Sequence, residues 1–226
     1  MTNEFLKLNN IQSSLIDAIK DNIHKHDSYY IIDIPKLKEE FIWFKNTFCS
    51  GNVNIAYSYK TNYMKPVVKT LSKLGCLSEV VSPFEVNLTK SYNIEPSQIV
   101  YNGPVKDKDS ITYVLKGNGL VNADSITDLN NIVSCCLAEK IHSPRIGIRF
   151  SFKEKNLSSR FGIEYNNESF REIIQIIGKI GLTFPACFHI HYPQRDLVSF
   201  QNRLNAIKSI IKKFNYEIIP KNFIVD

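Results

Sequence analysis

Hydrophobic positions in residues 5–26 recur at spacings of three and four, a pattern typical of an amphipathic helix. Residues 29–34 are aromatic and β-branched and predict a strand, and Pro35 then opens a helix that ends near Phe48. From Val53 onward, short apolar runs alternate with amphipathic segments. The strands are predicted over 53–58, 77–81, 98–101, 119–122, 145–150, 183–190 and 222–225. The helices between them are predicted over 64–74, 84–91, 107–116, 126–138, 168–179 and 196–214.

Regular alternation of strands and helices predicts an α/β fold with a parallel sheet covered by helices. The turn after the first strand, residues 60–63, contains no glycine, whereas an open doubly wound sheet usually has a glycine-rich turn there. The pattern therefore favours a (β/α)8 TIM-type barrel, whose chemistry lies in the loops after the strands. Such a barrel needs eight strands, and only seven are predicted up to Asp226. We therefore expect a barrel that is incomplete at its C-terminus.

Composition and charge argue against several other classes of protein. The chain has 226 residues, of which 43% are hydrophobic and 22% charged, an ordinary balance for a soluble globular protein. No apolar run reaches about 18 residues and the N-terminus lacks a signal-peptide pattern, so no membrane association is expected. The five cysteines have no framework spacing, which predicts reduced thiols and a cytoplasmic location. A formal charge of +6 on scattered lysines does not predict nucleic-acid binding.

Chemically useful side chains follow several of the predicted strands, at the functional face of a barrel. Lys60 follows the first strand, where a lysine is either solvated or available for chemistry. Its amine is nucleophilic only when neutral, and apolar surroundings lower its pKa toward that state. A lysine near carboxylates, an arginine and histidines is typical of a Schiff-base site. The candidates at later strand ends are Glu79, Ser82, Glu85, Asn102, Lys106, Asn122, Arg149, His189 and His191.

The two histidines at the end of the sixth predicted strand suggest two roles. His189 and His191 are two residues apart on a strand, so both imidazoles point the same way and can reach one ligand. A catalytic zinc needs three or more protein ligands, and no further ligands are evident in the sequence. We therefore expect no metal site and favour ring stacking or hydrogen bonding by these imidazoles.

Five short motifs together resemble one family of enzymes. They are YSYKTN at 57–62, EVVSPFE at 79–85, VYNGPVK at 100–106, SRFGI at 159–163 and FHIH at 188–191. In this order they resemble the motifs of the decarboxylases that depend on pyridoxal 5'-phosphate (PLP) and have the alanine-racemase-like barrel, PLP fold type III. The similar group comprises the diaminopimelate, ornithine and arginine decarboxylases. Each motif alone is weak, and the specificity lies in their shared order.

The resemblance implies the roles of individual residues. It implies that Lys60 holds the cofactor as a Schiff base, that His191 stacks on the cofactor ring, and that Glu79 and Glu85 orient and polarise the site. The cofactor-binding residues that it implies are Lys60, Ser82, Arg149, His189 and His191. The implied reaction is decarboxylation of a diaminopimelate-like or ornithine-like amino acid, or of an amino-acid adduct in a biosynthetic pathway. A racemase of the same fold and a truncated, non-catalytic PLP-binding barrel remain alternatives.

The resemblance also predicts the organisation of the domains. Residues 1–34 are predicted to form a helix and a strand that normally pairs with a C-terminal β domain, and residues 35–226 a partial PLP-binding barrel. That β domain and a glycine-rich phosphate loop are expected after Asp226, and the full-length protein is expected to be a homodimer. The sequence departs from the family at residues 192–195, where YPQR replaces isoleucine–glycine–serine, and at Glu79, which replaces aspartate.

Overall fold

A computed structural model of the chain defines its fold. The chain divides into two compact units, Met1–Cys49 and Ser50–Asp226, whereas the sequence predicted a division into 1–34 and 35–226. None of the described helices is long and apolar enough to cross a membrane. The residues that the structure describes are 13–25, 28, 30–48, 52–151, 159–191, 196–212, 219 and 221–226.

Parallel strands and helices alternate in the C-terminal unit, as predicted. The strands are β1 (Ala56–Ser58), β2 (Leu77–Val80), β3 (Ile99–Tyr101), β4 (Leu120–Ala123), β5 (Arg145–Ser151), β6 (Ile163–Glu164), β7 (Cys187–Ile190) and β8 (Ile224–Val225). The helices are α1 (Ser13–Asn22), α2 (Ile34–Thr47), α3 (Lys65–Lys73), α4 (Pro83–Ser91), α5 (Lys108–Lys116), α6 (Ile126–Ala138), α7 (Asn167–Gly178) and α8 (Leu197–Ile211). Only α1 and α2 belong to the N-terminal unit.

The strand order in the sheet is β1-β2-β3-β4-β5-β7-β8, and every pairing is parallel. Among the described residues β1 and β8 are the two edges, so the sheet forms an incomplete barrel, which confirms the predicted fold class. The short strand β6 pairs with β5 and was not predicted, because it lies in a segment that reads as a polar loop. Residues 152–158 of that loop lie outside the described part of the chain.

The strand predicted over residues 29–34 is wrong for the residues described there. Residues 30–33 have no regular secondary structure, and α2 already begins at Ile34. The Asp33 carboxylate accepts a hydrogen bond from the Lys36 N–H at 2.8 Å, and Pro35 stands in the first turn. An N-cap carboxylate and an early proline both start a helix, in agreement with the helix predicted from Pro35, whereas the strand before it was expected to pair with a further β domain.

Apolar side chains fill the space between the sheet and its helices. Val80, Val121, Ile146 and Ile148 have no exposed surface. A cluster of aromatic rings, with centroids 4.8–6.4 Å apart, is formed by Phe150, Phe170, Phe184, Phe188 and Phe223. Because these rings are tilted or edge-to-face, their quadrupoles attract in addition to the burial of their area. The described cysteines are buried free thiols, namely Cys76, Cys135, Cys136 and Cys187.

A glycine makes room for a polar side chain inside the sheet. Asn122 on β4, Gly147 on β5 and Cys187 on β7 lie side by side in the register. A Cβ atom on Gly147 would lie 1.8 Å from Asn122 Oδ1 and 2.7 Å from Cys187 Cβ. Both distances are shorter than any van der Waals contact, so a residue without a side chain is required between these two neighbours.

We expect Gly147→Ala to lower the free energy of unfolding by about 1–3 kcal/mol, because the added methyl overpacks the sheet. The matched control is Gly178→Ala at the end of α7, where a Cβ would meet nothing within 4 Å. There alanine should leave stability unchanged or raise it by up to about 1 kcal/mol through helix propensity. Urea unfolding of the 226-residue chain measures both. Equal effects of the two substitutions would contradict the packing described above.

A reciprocal capping box begins α4. The Ser82 hydroxyl accepts a hydrogen bond from the Glu85 N–H at 3.3 Å, and Glu85 Oε2 accepts one from the Val81 N–H at 2.6 Å. Ser82 therefore satisfies a backbone donor in the first turn of the helix, whereas Glu85 reaches back past this N-cap to the N–H of Val81. Burial raises the pKa of Glu85, and the Val81 N–H opposes this change. The resulting cap fixes the direction in which the chain leaves β2.

We expect Glu85→Ala to destabilise the chain by about 1 kcal/mol, because the capping acceptor is lost. Glu85→Gln keeps an acceptor oxygen and should retain that stability. Since the folded pKa of Glu85 lies above its ordinary 4.5, its contribution is largest below that pH and falls as the pH rises. The glutamine variant should therefore lose this pH dependence, which urea unfolding at several pH values measures. A glutamine variant as unstable as the alanine variant would contradict the capping role.

Candidate active site

The carboxyl ends of the parallel strands surround a cavity of about 220 Å³. Its wall combines one amine, one carboxylate, one guanidinium and two imidazoles with the turn after β3. The lining residues are Lys60, Glu79, Val81, Asn102, Gly103, Pro104, Arg149, Phe161, His189 and His191. Five of the seven residues to which the resemblance assigns a role therefore lie together on this wall. The two others, Ser82 and Glu85, form the capping box of α4 beside the cavity instead of lining it.

Lys60 stands on a tight turn at the end of β1. The Thr61 N–H donates to the Ser58 carbonyl at 3.2 Å, and the Thr61 hydroxyl donates to the same oxygen at 2.6 Å. The preceding residue, Tyr59, is buried and its hydroxyl lies 3.1 Å from Ser78 Oγ. Burial raises the pKa of Tyr59 to about 12, so its phenol is neutral at physiological pH. The neighbours of Lys60 in the chain, Tyr59 and Thr61, are therefore held by hydrogen bonds, and Lys60 itself is exposed at the cavity.

A row of hydrogen bonds crosses the floor of the site from β2 to β4. The Asn102 amide donates to Glu79 Oε1 at 3.2 Å, and the Asn122 amide donates to Asn102 Oδ1 at 2.7 Å. Asn122 also donates to Asp226 Oδ2 at 3.1 Å. The Asn122 Oδ1 atom is buried and accepts no hydrogen bond from the described residues. The row therefore fixes the Glu79 carboxylate at the wall and leaves one acceptor in the interior.

Asp226 continues this row to the first histidine. Its Oδ2 atom lies 2.7 Å from His189 Nδ1. Burial opposes ionisation of Asp226, but hydrogen bonds and the charge of His189 outweigh it, so the pKa of Asp226 is lowered. His189 is 8% exposed, and its ring is parallel to that of His191, with the centroids 6.5 Å apart and an interplanar angle of 10°. His189 is thus held in one orientation, whereas His191 is exposed just beyond β7.

Arg149 is held from two sides at the end of β5. One guanidinium nitrogen lies 2.7 Å from Asp124 Oδ1, and the guanidinium carbon lies 5.1 Å from the centre of the Phe161 ring. Gly162 has a φ of +87°, which lets the chain turn back so that β6 pairs with β5. Phe161 of the serine–arginine–phenylalanine–glycine motif, residues 159–162, therefore lines the cavity. The guanidinium is a fixed positive charge on the wall.

Two carboxylates that support the site were missed in the sequence. Asp124 holds Arg149, and Asp226 holds His189. Asp226 directly follows the strand predicted over 222–225, and Asp124 lies two residues beyond the strand predicted over 119–122, so the same rule that selected the other candidates could have found them. The departure at residues 192–195 lies outside the described residues.

The chemistry of the donor set fits PLP. An accessible amine suits its aldehyde, parallel imidazoles suit the face of its ring, and the guanidinium suits an anionic oxygen. Among the described residues no group of three or more histidine, cysteine, aspartate and glutamate side chains could hold a metal ion.

Comparisons with known proteins identify the family of the chain. The family model "Pyridoxal-dependent decarboxylase, pyridoxal binding domain" matches residues 34–219. Ornithine decarboxylase of Saccharomyces cerevisiae is 25% identical over 197 residues, which cover 84% of this chain and 40% of that protein. Antizyme inhibitor 2 of Xenopus laevis is 23% identical over 199 residues, which cover 85% of this chain and 42% of that protein.

A solved structure shows the same fold. The crystal structure of diaminopimelate decarboxylase from Helicobacter pylori, complexed with L-lysine, matches with a TM-score of 0.71 at 24% identity. The match covers 85% of this chain and 53% of that chain. The chain thus spans about two fifths of the curated relatives above and about half of the solved chain. Since the family model covers most of its length, the chain belongs to the pyridoxal-dependent decarboxylases and contains their pyridoxal-binding domain.

Proposed function

We propose that this chain is the pyridoxal-binding part of an amino-acid decarboxylase, with Lys60 as its Schiff-base lysine. The observation that carries the proposal is the accessible amine of Lys60 in one cavity with Glu79, Arg149 and two imidazoles. When bound, PLP supplies an electron sink for the electrons that a departing carboxylate leaves behind. The residues of the chain bind the cofactor, orient it and balance its charges.

The remaining residues divide this work. The fixed guanidinium of Arg149 provides positive charge for an anionic oxygen of the cofactor or substrate. Glu79, held by the Asn102 amide, provides a carboxylate that orients a protonated group. The parallel faces of His189 and His191 exclude water from one side of a planar ligand. The substrate class that the relatives support is an amino acid with a second amine, such as diaminopimelate or ornithine.

We expect PLP and borohydride to label Lys60 covalently, with a mass shift on the peptide that contains it. Lys60→Ala should lose this label, because the amine that bonds to the cofactor is gone. The matched control is Lys65→Ala, an exposed lysine at the start of α3, which should keep the label on Lys60. Peptide mass spectrometry distinguishes the two. A label that persists elsewhere in the Lys60→Ala chain would refute the assignment of this residue.

The two histidines should contribute unequally to PLP binding. The resemblance assigns stacking to His191, which is exposed, whereas His189 is only 8% exposed and its Nδ1 atom lies 2.7 Å from Asp226 Oδ2. A preorganised ring loses less entropy when a ligand stacks on it. We therefore expect His189→Ala to weaken PLP binding at least tenfold and His191→Ala to weaken it less, in titrations followed by visible absorbance. The reverse order would restore His191 as the main stacking residue.

A non-catalytic PLP-binding barrel is the second candidate. The observation that favours it is the similarity to antizyme inhibitor 2, a relative whose name is not that of an enzyme. Release of carbon dioxide from diaminopimelate, ornithine, arginine or lysine by the PLP-loaded chain would support decarboxylation. Binding of PLP without turnover would support the second candidate. Inversion at the α-carbon with the carboxylate retained would instead identify a racemase of the same fold.

A further inference from the structure

Lys106 has a charged side chain with no exposed surface. Its Nζ atom donates to the Gly103 carbonyl at 2.5 Å and to Asp128 Oδ2 at 2.6 Å, and it lies 5.5 Å from the centre of the Tyr101 ring. A buried ammonium is costly unless it is paired and hydrogen-bonded. Lys106 does not line the cavity, so direct contact with a ligand there does not explain its burial.

Asp128 connects Lys106 to the guanidinium on the cavity wall. Its Oδ2 atom also accepts a hydrogen bond from the Asp124 N–H at 3.0 Å. The Asp124 carboxylate in turn lies 2.7 Å from the Arg149 guanidinium. The side chains of Asp128, Asp124 and Arg149 are only 8%, 7% and 11% exposed. The two cations, Lys106 and Arg149, balance the charge of the two carboxylates, Asp124 and Asp128. This balance lowers the cost of burying the four charged groups.

The hydrogen bond from Lys106 to the Gly103 carbonyl connects it to a different part of the cavity wall. Asn102, Gly103 and Pro104 form the turn after β3 and all line the cavity. Gly103 has a φ of +94°, and a Cβ atom on it would lie 2.2 Å from the Val81 carbonyl oxygen. The turn is therefore packed against the end of β2, and its carbonyl points at the Lys106 ammonium. The buried ammonium of Lys106 therefore contacts both the turn after β3, through the Gly103 carbonyl, and the carboxylate of Asp128.

We propose that Lys106 is a positioning residue of this site, which holds the turn after β3 directly and Arg149 through Asp128 and Asp124. This inference rests on the proposed function, because it assumes that the cavity binds PLP. Burial lowers the pKa of Lys106 while Asp128 opposes that change, so the carboxylate partner replaces water in supporting the charge. Without the ammonium, the two buried carboxylates of Asp124 and Asp128 would be balanced by the single charge of Arg149.

The first test compares Lys106→Met with Lys108→Met in the 226-residue chain. Lys108 is the matched control, because its side chain is 59% exposed and its salt bridge within the described part of the chain is with Glu139 at the surface, at 3.4 Å. We expect Lys106→Met to shift the side-chain Nε–Hε signal of Arg149 in NMR spectra without cofactor, and to weaken PLP binding at least tenfold. The control should change neither. An unchanged Arg149 signal in Lys106→Met would overturn the proposal.

The second test separates positioning from loss of folding. The double variant Lys106→Met/Asp128→Leu removes both buried charges and fills similar volume, so its urea unfolding should return toward that of the unsubstituted chain. We expect its Arg149 signal to remain shifted and its PLP affinity to remain at least tenfold lower. Recovery of signal and affinity together with stability would refute positioning, and so would a double variant that does not fold.

These readouts distinguish the two proposals. If the unsubstituted chain binds no PLP, the proposed function fails. The Arg149 signal still decides whether Lys106 positions the guanidinium, since it is recorded without the cofactor.

Discussion

The parallel pairing of the strands is the constraint on which the site depends. In a parallel sheet all strands end at the same edge, and the register brings residues of neighbouring strands to one level. The lysine after β1, the glutamate of β2 and the histidines at the end of β7 are far apart in the sequence and meet only for this reason. Side-chain caps at the starts of α4, α5 and α6 then fix the direction in which the chain leaves β2, β3 and β4.

Polar groups inside this sheet require a balance of charge and space. The row from Glu79 to His189 consists of amides and carboxylates that hydrogen-bond across neighbouring strands, and Asn122 Oδ1 is the acceptor in it that no described residue satisfies. It fits only because Gly147 leaves space beside Asn122. An unpaired polar group in such a place costs a large part of a domain's net stability. The orientation of the site and the stability of the sheet are therefore coupled.

Much of the fold and of the wall could be predicted from the sequence, because both follow from local patterns. Alternating apolar runs define the strands, and strand ends define the edge where Lys60, Arg149 and His189 lie. The prediction failed where a tertiary or capping contact decides the outcome. Residues 30–33 read as a strand, but a strand needs a partner to pair with, and these residues have no regular secondary structure. β6 exists only because β5 offers it a partner, which a two-residue pattern cannot reveal.

The same distinction applies within the motifs themselves. Glu85 and Lys106 have the chemistry of catalytic groups and stand at strand ends, yet one caps a helix and the other is sealed behind the wall. Sequence alone cannot separate these cases, because side-chain type gives the available chemistry while burial and hydrogen-bond partners determine its use. A carboxylate that accepts a backbone N–H and an ammonium that balances a buried carboxylate are already engaged. Lys60 differs because its amine is accessible at the cavity, and this difference makes it the residue best suited to bond with a cofactor.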